Sequence, residues 1–136
     1  MEAVLREEAA GRAVSSSDPA LLRYLRWHFG GLRDERLHVI FLDSNSRYLA
    51  DETLAIGKAG AVEFRARTVV KRAIELGADR LILAHNHISG DCRPSKQDVA
   101  ATKSLSAIVH ALDIELVDHL IITTSGAYSL AAGRKL

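Results

Sequence analysis

The apolar residues of the chain recur at two spacings, one typical of amphipathic helices and one typical of buried strands. Apolar positions three and four residues apart predict three helices, over residues 19–29, from 66 to about 77, and 95–112. Short apolar or alternating runs predict five strands, over residues 37–42, 47–56, 81–84, 114–123 and 127–131. This order of elements predicts a mixed sheet flanked by helices, in an α/β or an α+β fold, and we take α/β as the fold class.

Capping and turn residues mark the ends of these elements. Asp18 is a typical helix N-cap residue, and Pro19 suits the first helical position. Gly30 and Gly31 end the first helix. Turn residues at 43–46 predict a hairpin between the first two strands.

Length and composition indicate one globular domain. The chain has 136 residues, of which 48% are hydrophobic and 26% are charged, so it contains enough apolar material for a core. We predict an N-terminal arm at residues 1–13 and a single domain at residues 14–136. The formal net charge of +1 lacks the basic excess that marks dedicated nucleic-acid-binding domains.

The sequence favours a cytoplasmic location. Cys92 is the only cysteine, so the chain cannot form an internal disulfide. No apolar run approaches the roughly 20 residues needed to span a bilayer. The first residues contain no apolar signal-peptide core. We therefore expect a cytoplasmic protein without a membrane partner.

Two histidines follow the predicted strand at 81–84. Side chains alternate along a strand, so His85 and His87 point to the same side while Asn86 points to the other. Asp98 falls in the first turn of the next helix, which faces back toward the end of that strand. Two histidines and one carboxylate are ligands that a divalent metal accepts, and in a tetrahedral site they leave the fourth position for water.

Each part of this group also has a simpler interpretation. Ser95 followed three residues later by Asp98 is a common helix-capping arrangement. An isolated His-x-His pair is more often incidental than a metal site. The two parts occur together here, separated by a Gly-Asp pair and a proline, and this combination favours a metal site.

These residues resemble the JAMM motif of the MPN/JAB metalloprotease superfamily. The residues that match are His85, His87, Ser95 and Asp98, with seven residues between the second and third and two between the third and fourth. The longer segment 83–98, followed by segment 118–122, resembles the RadC branch, bacterial proteins long labelled DNA repair proteins. The resemblance covers about residue 34 to the C-terminus and extends upstream to near residue 14.

The resemblance implies an MPN/JAB, cytidine-deaminase-like architecture with one Zn²⁺ per chain. By that similarity His85, His87 and Asp98 are the zinc ligands, and Ser95 lies near the bound water or the developing oxyanion. Superfamily members also use an upstream glutamate at the start of a strand, and Glu35 occupies the matching place as general base. The implied activity is zinc-dependent hydrolysis of peptide or isopeptide bonds in a peptide or protein substrate.

The chain departs from the RadC pattern at two positions. RadC proteins usually have proline after the second histidine and after the Gly-Asp pair, whereas this chain has Ile88 and Cys92. Neither replacement removes an implied ligand, but both loosen the loop, because proline restricts the backbone. Cys92 is also a soft candidate metal ligand, although we interpret it as an adventitious thiol. The helix-hairpin-helix region that longer RadC proteins carry ahead of this domain has no counterpart in these residues.

The remaining histidines are interpreted as structural. His119 is interpreted as packing within the last strands, with orientation of a metal ligand as the alternative. His38 is interpreted as a satisfied core or edge histidine. His28 and His110 are interpreted as ordinary helix positions.

Two further functions stay open. The RadC label and a basic helix face suggest a DNA-associated module with a structural metal site, although solvated helix faces look the same. That face contains Arg65, Arg67, Lys71 and Arg72. A non-catalytic protein-interaction scaffold is the third hypothesis, since some MPN domains lack the metal ligands, whereas this chain has every ligand type. The sequence identifies neither the substrate nor the oligomeric state.

Overall fold

The computed structural model describes residues 12–57 and 65–136, so nearly all of the predicted N-terminal arm lies outside the described residues. The elements in chain order are α1 (Pro19–Phe29), β1 (Glu35–Leu42), β2 (Tyr48–Gly57), α2 (Ala66–Leu76), β3 (Arg80–Asn86), α3 (Lys96–His110), β4 (Glu115–Ile122), β5 (Ala127–Ser129) and β6 (Arg134–Lys135). The three predicted helices and the first four predicted strands are confirmed to within a few residues. None of these described helices has the length and apolar character needed to cross a membrane.

The strands form one mixed sheet, in the order β2-β1-β3-β4-β5-β6. Strand β1 is antiparallel to both β2 and β3, whereas β3 and β4 are parallel and are connected through α3. Strands β5 and β6 continue the sheet in antiparallel fashion. Strand β3, which contains His85 and ends just before His87, therefore lies inside the sheet with a paired neighbour on each side. The predicted mixed α/β fold is confirmed.

The central strands are buried on both faces. On one face, Leu21 and Leu25 of α1 pack with Ile40 of β1 and Ile82 of β3. The opposite face packs against α2 and α3, through Leu37, Val39, Phe41, Val69, Ala73, Leu81, Leu83, Leu105 and Val109. Burying a leucine-sized side chain stabilises a fold by about 1.5–3 kcal/mol. Cover on both faces explains why β1 and β3 are continuous apolar runs rather than alternating ones.

The C-terminal strands differ from the prediction of one strand over residues 127–131. Strand β5 ends at Ser129, and the buried Asp118 accepts the Ser129 hydroxyl at 2.5 Å and the backbone N–H of Ala131 at 3.0 Å. Gly133 adopts a φ of 69°, and the chain then returns as the short strand β6, which pairs with β5. A two-residue strand has no periodicity that the sequence could display.

A buried polar network joins α1 to the first two strands. Asp51 is fully buried, and its carboxylate accepts hydrogen bonds from the hydroxyls of Tyr24 and Tyr48. It also lies 2.6 Å from Nε2 of His38, whose Nδ1 lies 3.0 Å from the hydroxyl of Thr53. His38 is therefore a buried histidine with a partner for each ring nitrogen, which confirms its interpretation as a satisfied core residue.

We expect Asp51→Ala to lower the free energy of unfolding by about 3–5 kcal/mol, because it removes the buried carboxylate that His38, Tyr24 and Tyr48 share as an acceptor. Urea unfolding followed by circular dichroism at pH 7 measures the change. The matched control is Asp79→Ala, at an exposed position before β3, which we expect to change stability by less than about 0.5 kcal/mol. Equal losses in the two variants would contradict this account of the network.

His28 is a half-buried histidine beside this network, with its ring centroid 4.0 Å from that of His38. Burial lowers the pKa of His28 to about 4, the charges of His38 and Arg36 act in the same direction, and Asp51 opposes them. The unfolded chain binds a proton at His28 near pH 6.5. Stability is therefore lost as the pH falls from about 6.5 toward about 4, because the unfolded state takes up the proton first.

The variant His28→Gln removes this titrating group, and we expect it to lose less stability than the native chain between pH 7 and pH 5. The difference should be a fraction of the ~1.4 kcal/mol that each pKa unit represents, since solvent screens a half-exposed imidazole. Urea unfolding in the presence of a chelator measures it, with His110→Gln on the exposed end of α3 as the control for loss of a histidine. Identical pH dependence in native protein and His28→Gln would refute the assignment.

Candidate metal centre

The end of β3 carries two histidines that face the same side of the sheet. Side chains alternate along the strand, and Leu81 and Leu83 face α2 and α3, so His85 faces the same way. His85 is only 3% exposed, and His87, just beyond the strand, is half-buried. Their ring centroids are 4.7 Å apart. The prediction that the two imidazoles share one side is confirmed.

Asp98 reaches both histidines from the first turn of α3. Its Oδ2 lies 3.2 Å from Nε2 of His87, and its Oδ1 lies 3.4 Å from Nε2 of His85. The same carboxylate accepts the backbone N–H of Ser95 at 2.8 Å, while the Ser95 hydroxyl accepts the N–H of Asp98 at 3.0 Å. Both interpretations of the Ser95–Asp98 spacing therefore hold at once, because the capping box holds the carboxylate against the histidines.

Each imidazole has its second nitrogen occupied. Nδ1 of His87 donates to the carbonyl oxygen of Asp91 at 2.9 Å, and Gly90, with a φ of 86°, turns the loop back to make this contact. Nδ1 of His85 lies 2.6 Å from Nε2 of His119. Histidine ligands in metalloproteins typically donate one N–H to such a partner, which leaves Nε2 free for the metal.

The three side chains fit a divalent metal ion. The ligand atoms of His85, His87 and Asp98 lie within 4.8 Å of one another. Zinc takes imidazole nitrogen and carboxylate oxygen at roughly 2.0–2.2 Å, so one ion between these atoms could be bound by all three side chains. Cys92 is buried and does not belong to this group in the part of the chain that the structure describes. Its interpretation as a thiol without a metal role is consistent with that geometry.

The charges at the site suit metal binding. Burial raises the pKa of Asp98, but hydrogen bonds from His87 and from the backbone of Ser95 outweigh it and hold that pKa well below its ordinary value. The hydrogen bond with Asp98 raises the pKa of His87, whereas burial lowers the pKa of His85 to about 4. At neutral pH the site therefore offers an ionised carboxylate and a neutral His85, which are the forms that bind a metal, whereas the raised pKa of His87 favours a proton that a metal would displace.

Glu35 lies beside the histidines because β1 runs antiparallel to β3, so that the start of one strand meets the end of the other. The residue is 4% exposed, and one carboxylate oxygen accepts the backbone N–H of Ile88 at 3.1 Å. The pKa of His87 is raised first by its hydrogen bond to Asp98 and also by the charge of Glu35. Glu35 is thus a close neighbour of the three possible ligands and is not one of them.

Ile88 can make this contact because it is not a proline. Proline has no backbone N–H, so a RadC chain with the usual proline at this position could not donate the hydrogen bond that Glu35 accepts here. From the sequence we expected the replacement of proline by Ile88 to loosen the loop. In the structure, the backbone N–H of Ile88 also anchors Glu35.

Ser95 is exposed at the N-cap of α3. Its oxygen acts as an acceptor in the capping box, so its own O–H can still donate to a water molecule or a substrate next to Asp98. The structure therefore brings together His85, His87, Asp98, Glu35 and Ser95, the full set of predicted site residues.

Two residues lie behind His85: His119, for which the sequence left orientation of a metal ligand as the alternative interpretation, and Thr102, which the sequence did not single out. His119 is buried as expected, but instead of only packing within the last strands it contacts Nδ1 of His85. Its other nitrogen lies 2.6 Å from the hydroxyl of Thr102, which donates to the carbonyl oxygen of Asp98 at 2.7 Å. The only signal for Thr102 is its position one helical turn after Asp98.

The predicted basic helix face is partly neutralised. Arg72 binds Glu52 through two nitrogens, at 2.7 Å each, and also lies 3.6 Å from Glu75. This arrangement leaves fewer free cations for phosphate contacts than the sequence suggested.

A mixed sheet flanked by helices, with a His-His-Asp group between a strand end and a helix start, is the arrangement of a JAB/MPN domain. The family model described as "RadC-like JAB domain" matches residues 15–136. The chain belongs to this family.

Curated relatives agree with the family assignment. The chain is 39% identical over 116 residues to the UPF0758 protein YkfG of Escherichia coli (strain K12), which covers 85% of the chain and 73% of that protein. It is 43% identical over 117 residues to a UPF0758 protein of Rhodobacter capsulatus, 86% of the chain and 55% of the relative. A UPF0758 protein of Polaromonas sp. (strain JS666 / ATCC BAA-500) is 38% identical over 127 residues, 93% of the chain and 57% of the relative. The chain thus spans just over half of two of these relatives, and their names state no activity.

Proposed function

We propose that this domain is a zinc-dependent hydrolase that cleaves peptide or isopeptide bonds. The observation that carries the proposal is the convergence of two Nε2 atoms and one carboxylate, with the buried carboxylate of Glu35 next to them. A ligand set of two histidines and one carboxylate is typical of catalytic zinc sites, whereas structural zinc sites usually complete four protein ligands.

Each residue has a role that follows from its position. His85, His87 and Asp98 would hold the ion, which when bound supplies an activated water molecule and polarises a carbonyl group. Glu35 is placed to take a proton from the attacking water and to return one to the leaving amine. Ser95 has a free O–H to donate to the oxyanion that develops on the substrate carbonyl.

A cleft lies next to His87 on the side of the sheet that α1 covers, and the other four proposed site residues are not among its lining residues. The cleft runs from His87 and Ile88 to the end of α1 and the end of β4, and its lining includes Arg26, Gly30, Gly31, Thr123 and Thr124.

The proposal predicts about one zinc ion per chain. Native protein dialysed against zinc and then against metal-free buffer should retain it, as measured by plasma mass spectrometry. His85→Ala should lose the ion because one of three ligands is removed, while His110→Ala on the far end of α3 should keep it. A folded native chain that retains no zinc would refute the proposal.

Glu35→Gln separates the base from the ligands. We expect it to keep zinc but to cleave a mixed peptide library at least about 100-fold more slowly, because the amide cannot accept the proton. Cleavage is followed by mass spectrometry, and Glu75→Gln, an exposed glutamate on α2, is the matched control. Native, zinc-loaded protein that cleaves no library peptide would contradict peptide hydrolysis, and undiminished cleavage by Glu35→Gln would contradict the assigned base.

Ile88→Pro tests the backbone anchor of the glutamate. The substitution deletes one hydrogen bond to a carboxylate, worth about 1.5 kcal/mol, so kcat on a cleaved library peptide should fall about tenfold. Zinc content should not change. Ile88→Val retains the N–H and should match the native rate, and equal rates in the proline and valine variants would contradict the anchoring role.

A further inference from the structure

We propose that His119 and Thr102 are positioning residues for the metal centre, forming a hydrogen-bond relay with a single direction that fixes the orientation of His85. The relay links the imidazole of His85 to the backbone of Asp98, so it joins two of the three ligands from behind. This inference rests on the proposed metal centre.

The relay consists of three consecutive contacts. Nδ1 of His85 lies 2.6 Å from Nε2 of His119, and Nδ1 of His119 lies 2.6 Å from the Thr102 hydroxyl. The Thr102 hydroxyl in turn donates to the carbonyl oxygen of Asp98 at 2.7 Å. All three contacts are short, and His119 is 3% exposed, so water does not compete for its ring nitrogens.

Metal binding determines the direction of every hydrogen bond in the relay. If Nε2 of His85 holds the metal, the proton of that ring would be on Nδ1, which would then donate to Nε2 of His119. His119 then carries its own proton on Nδ1 and donates it to the Thr102 oxygen. The Thr102 hydroxyl has its proton left for the carbonyl of Asp98, which can only accept. In this arrangement of protons, every donor in the relay faces an acceptor.

The fold builds this relay from two neighbouring elements. Strand β4 is parallel to β3 with His119 paired to Leu83, so His119 sits diagonally behind His85 on the face that meets α3. Thr102 lies one turn after Asp98 on α3 and therefore above the same strand. The crossover that brings Asp98 to the histidines thereby also brings the last member of the relay into place.

The first test reads the proton positions directly. Long-range ¹H–¹⁵N spectra of the zinc-loaded chain, labelled at its six histidines, report which nitrogen of each ring is protonated. We expect His85 and His119 both to carry the proton on Nδ1, with signals assigned by their loss in His85→Ala and His119→Gln. A proton on Nε2 of His119, or on both of its nitrogens, would overturn the relay.

The second test measures zinc affinity by competition with a chromophoric chelator. Removing such a partner of a metal ligand typically lowers affinity by about 10–100-fold, and we expect this for His119→Leu and Thr102→Val. The conservative variants should restore most of it, because His119→Gln keeps an acceptor for His85 and Thr102→Ser keeps the hydroxyl. Circular dichroism and thermal melting without metal establish that each variant is folded.

The outcomes separate the relay from the metal centre itself. If folded His119→Leu and Thr102→Val bind zinc as tightly as the native chain, the relay has no positioning role. If the conservative variants lose as much affinity as the apolar ones, the effect is general packing and the relay is also overturned. A native chain that binds no zinc would overturn both the metal centre and the relay, whereas native binding with the wrong tautomer overturns only the relay.

Discussion

The carboxylate of Asp98 has to satisfy two demands, and the geometry of the site depends on its doing both. It accepts the N–H of Ser95 and so caps α3, and it faces the Nε2 atoms of His85 and His87. A carboxylate at a helix N-terminus is stabilised by the helix dipole and by the cap, which keep it ionised and fixed in direction. The capping motif, which looks like an alternative to a metal site in the sequence, holds the Asp98 carboxylate against the two histidines.

The topology places the remaining residues around that carboxylate. Because β1 is antiparallel to β3, its first residue, Glu35, lies near the end of β3. Because β4 is parallel to β3, His119 approaches His85 from the neighbouring strand on the other side. Three adjacent strands and the residue that follows β3 therefore bring Glu35, His85, His87 and His119 together, while α3 contributes Asp98. Active groups on such rigid elements are held more accurately than groups on loops.

Much of this arrangement could be predicted from the sequence. The apolar runs predicted β1 and β3, period-two alternation placed His85 and His87 on one side, and the Ser95–Asp98 spacing located the start of α3. Other features depend on contacts between distant parts of the chain. The side-chain contact of His119 with His85 follows from the register of the parallel strands β3 and β4, and no local sequence pattern encodes that register.

The hydrogen bond from Ile88 to Glu35 could not be predicted from the sequence for a related reason. In the sequence, Ile88 is only a position where the usual proline is replaced. Its backbone N–H has a role only in the folded chain, where Glu35 at the start of β1 lies close enough to accept it. Similarly, β6 has two residues and depends on the turn at Gly133 and on the N–H contacts of Asp118, which are tertiary features. The sequence thus predicted the elements and the convergence of His85, His87 and Asp98 well, and it predicted the supporting hydrogen bonds poorly.

The central claim is that zinc is held by two imidazoles and the Asp98 carboxylate, and X-ray absorption at the zinc edge of the loaded chain tests it most directly. The account predicts a first shell of nitrogen and oxygen only, at about 2.0–2.2 Å, with the outer-shell signature of two imidazoles. A sulfur contribution at about 2.3 Å, which Cys92 as the single cysteine of the chain could supply, would contradict it.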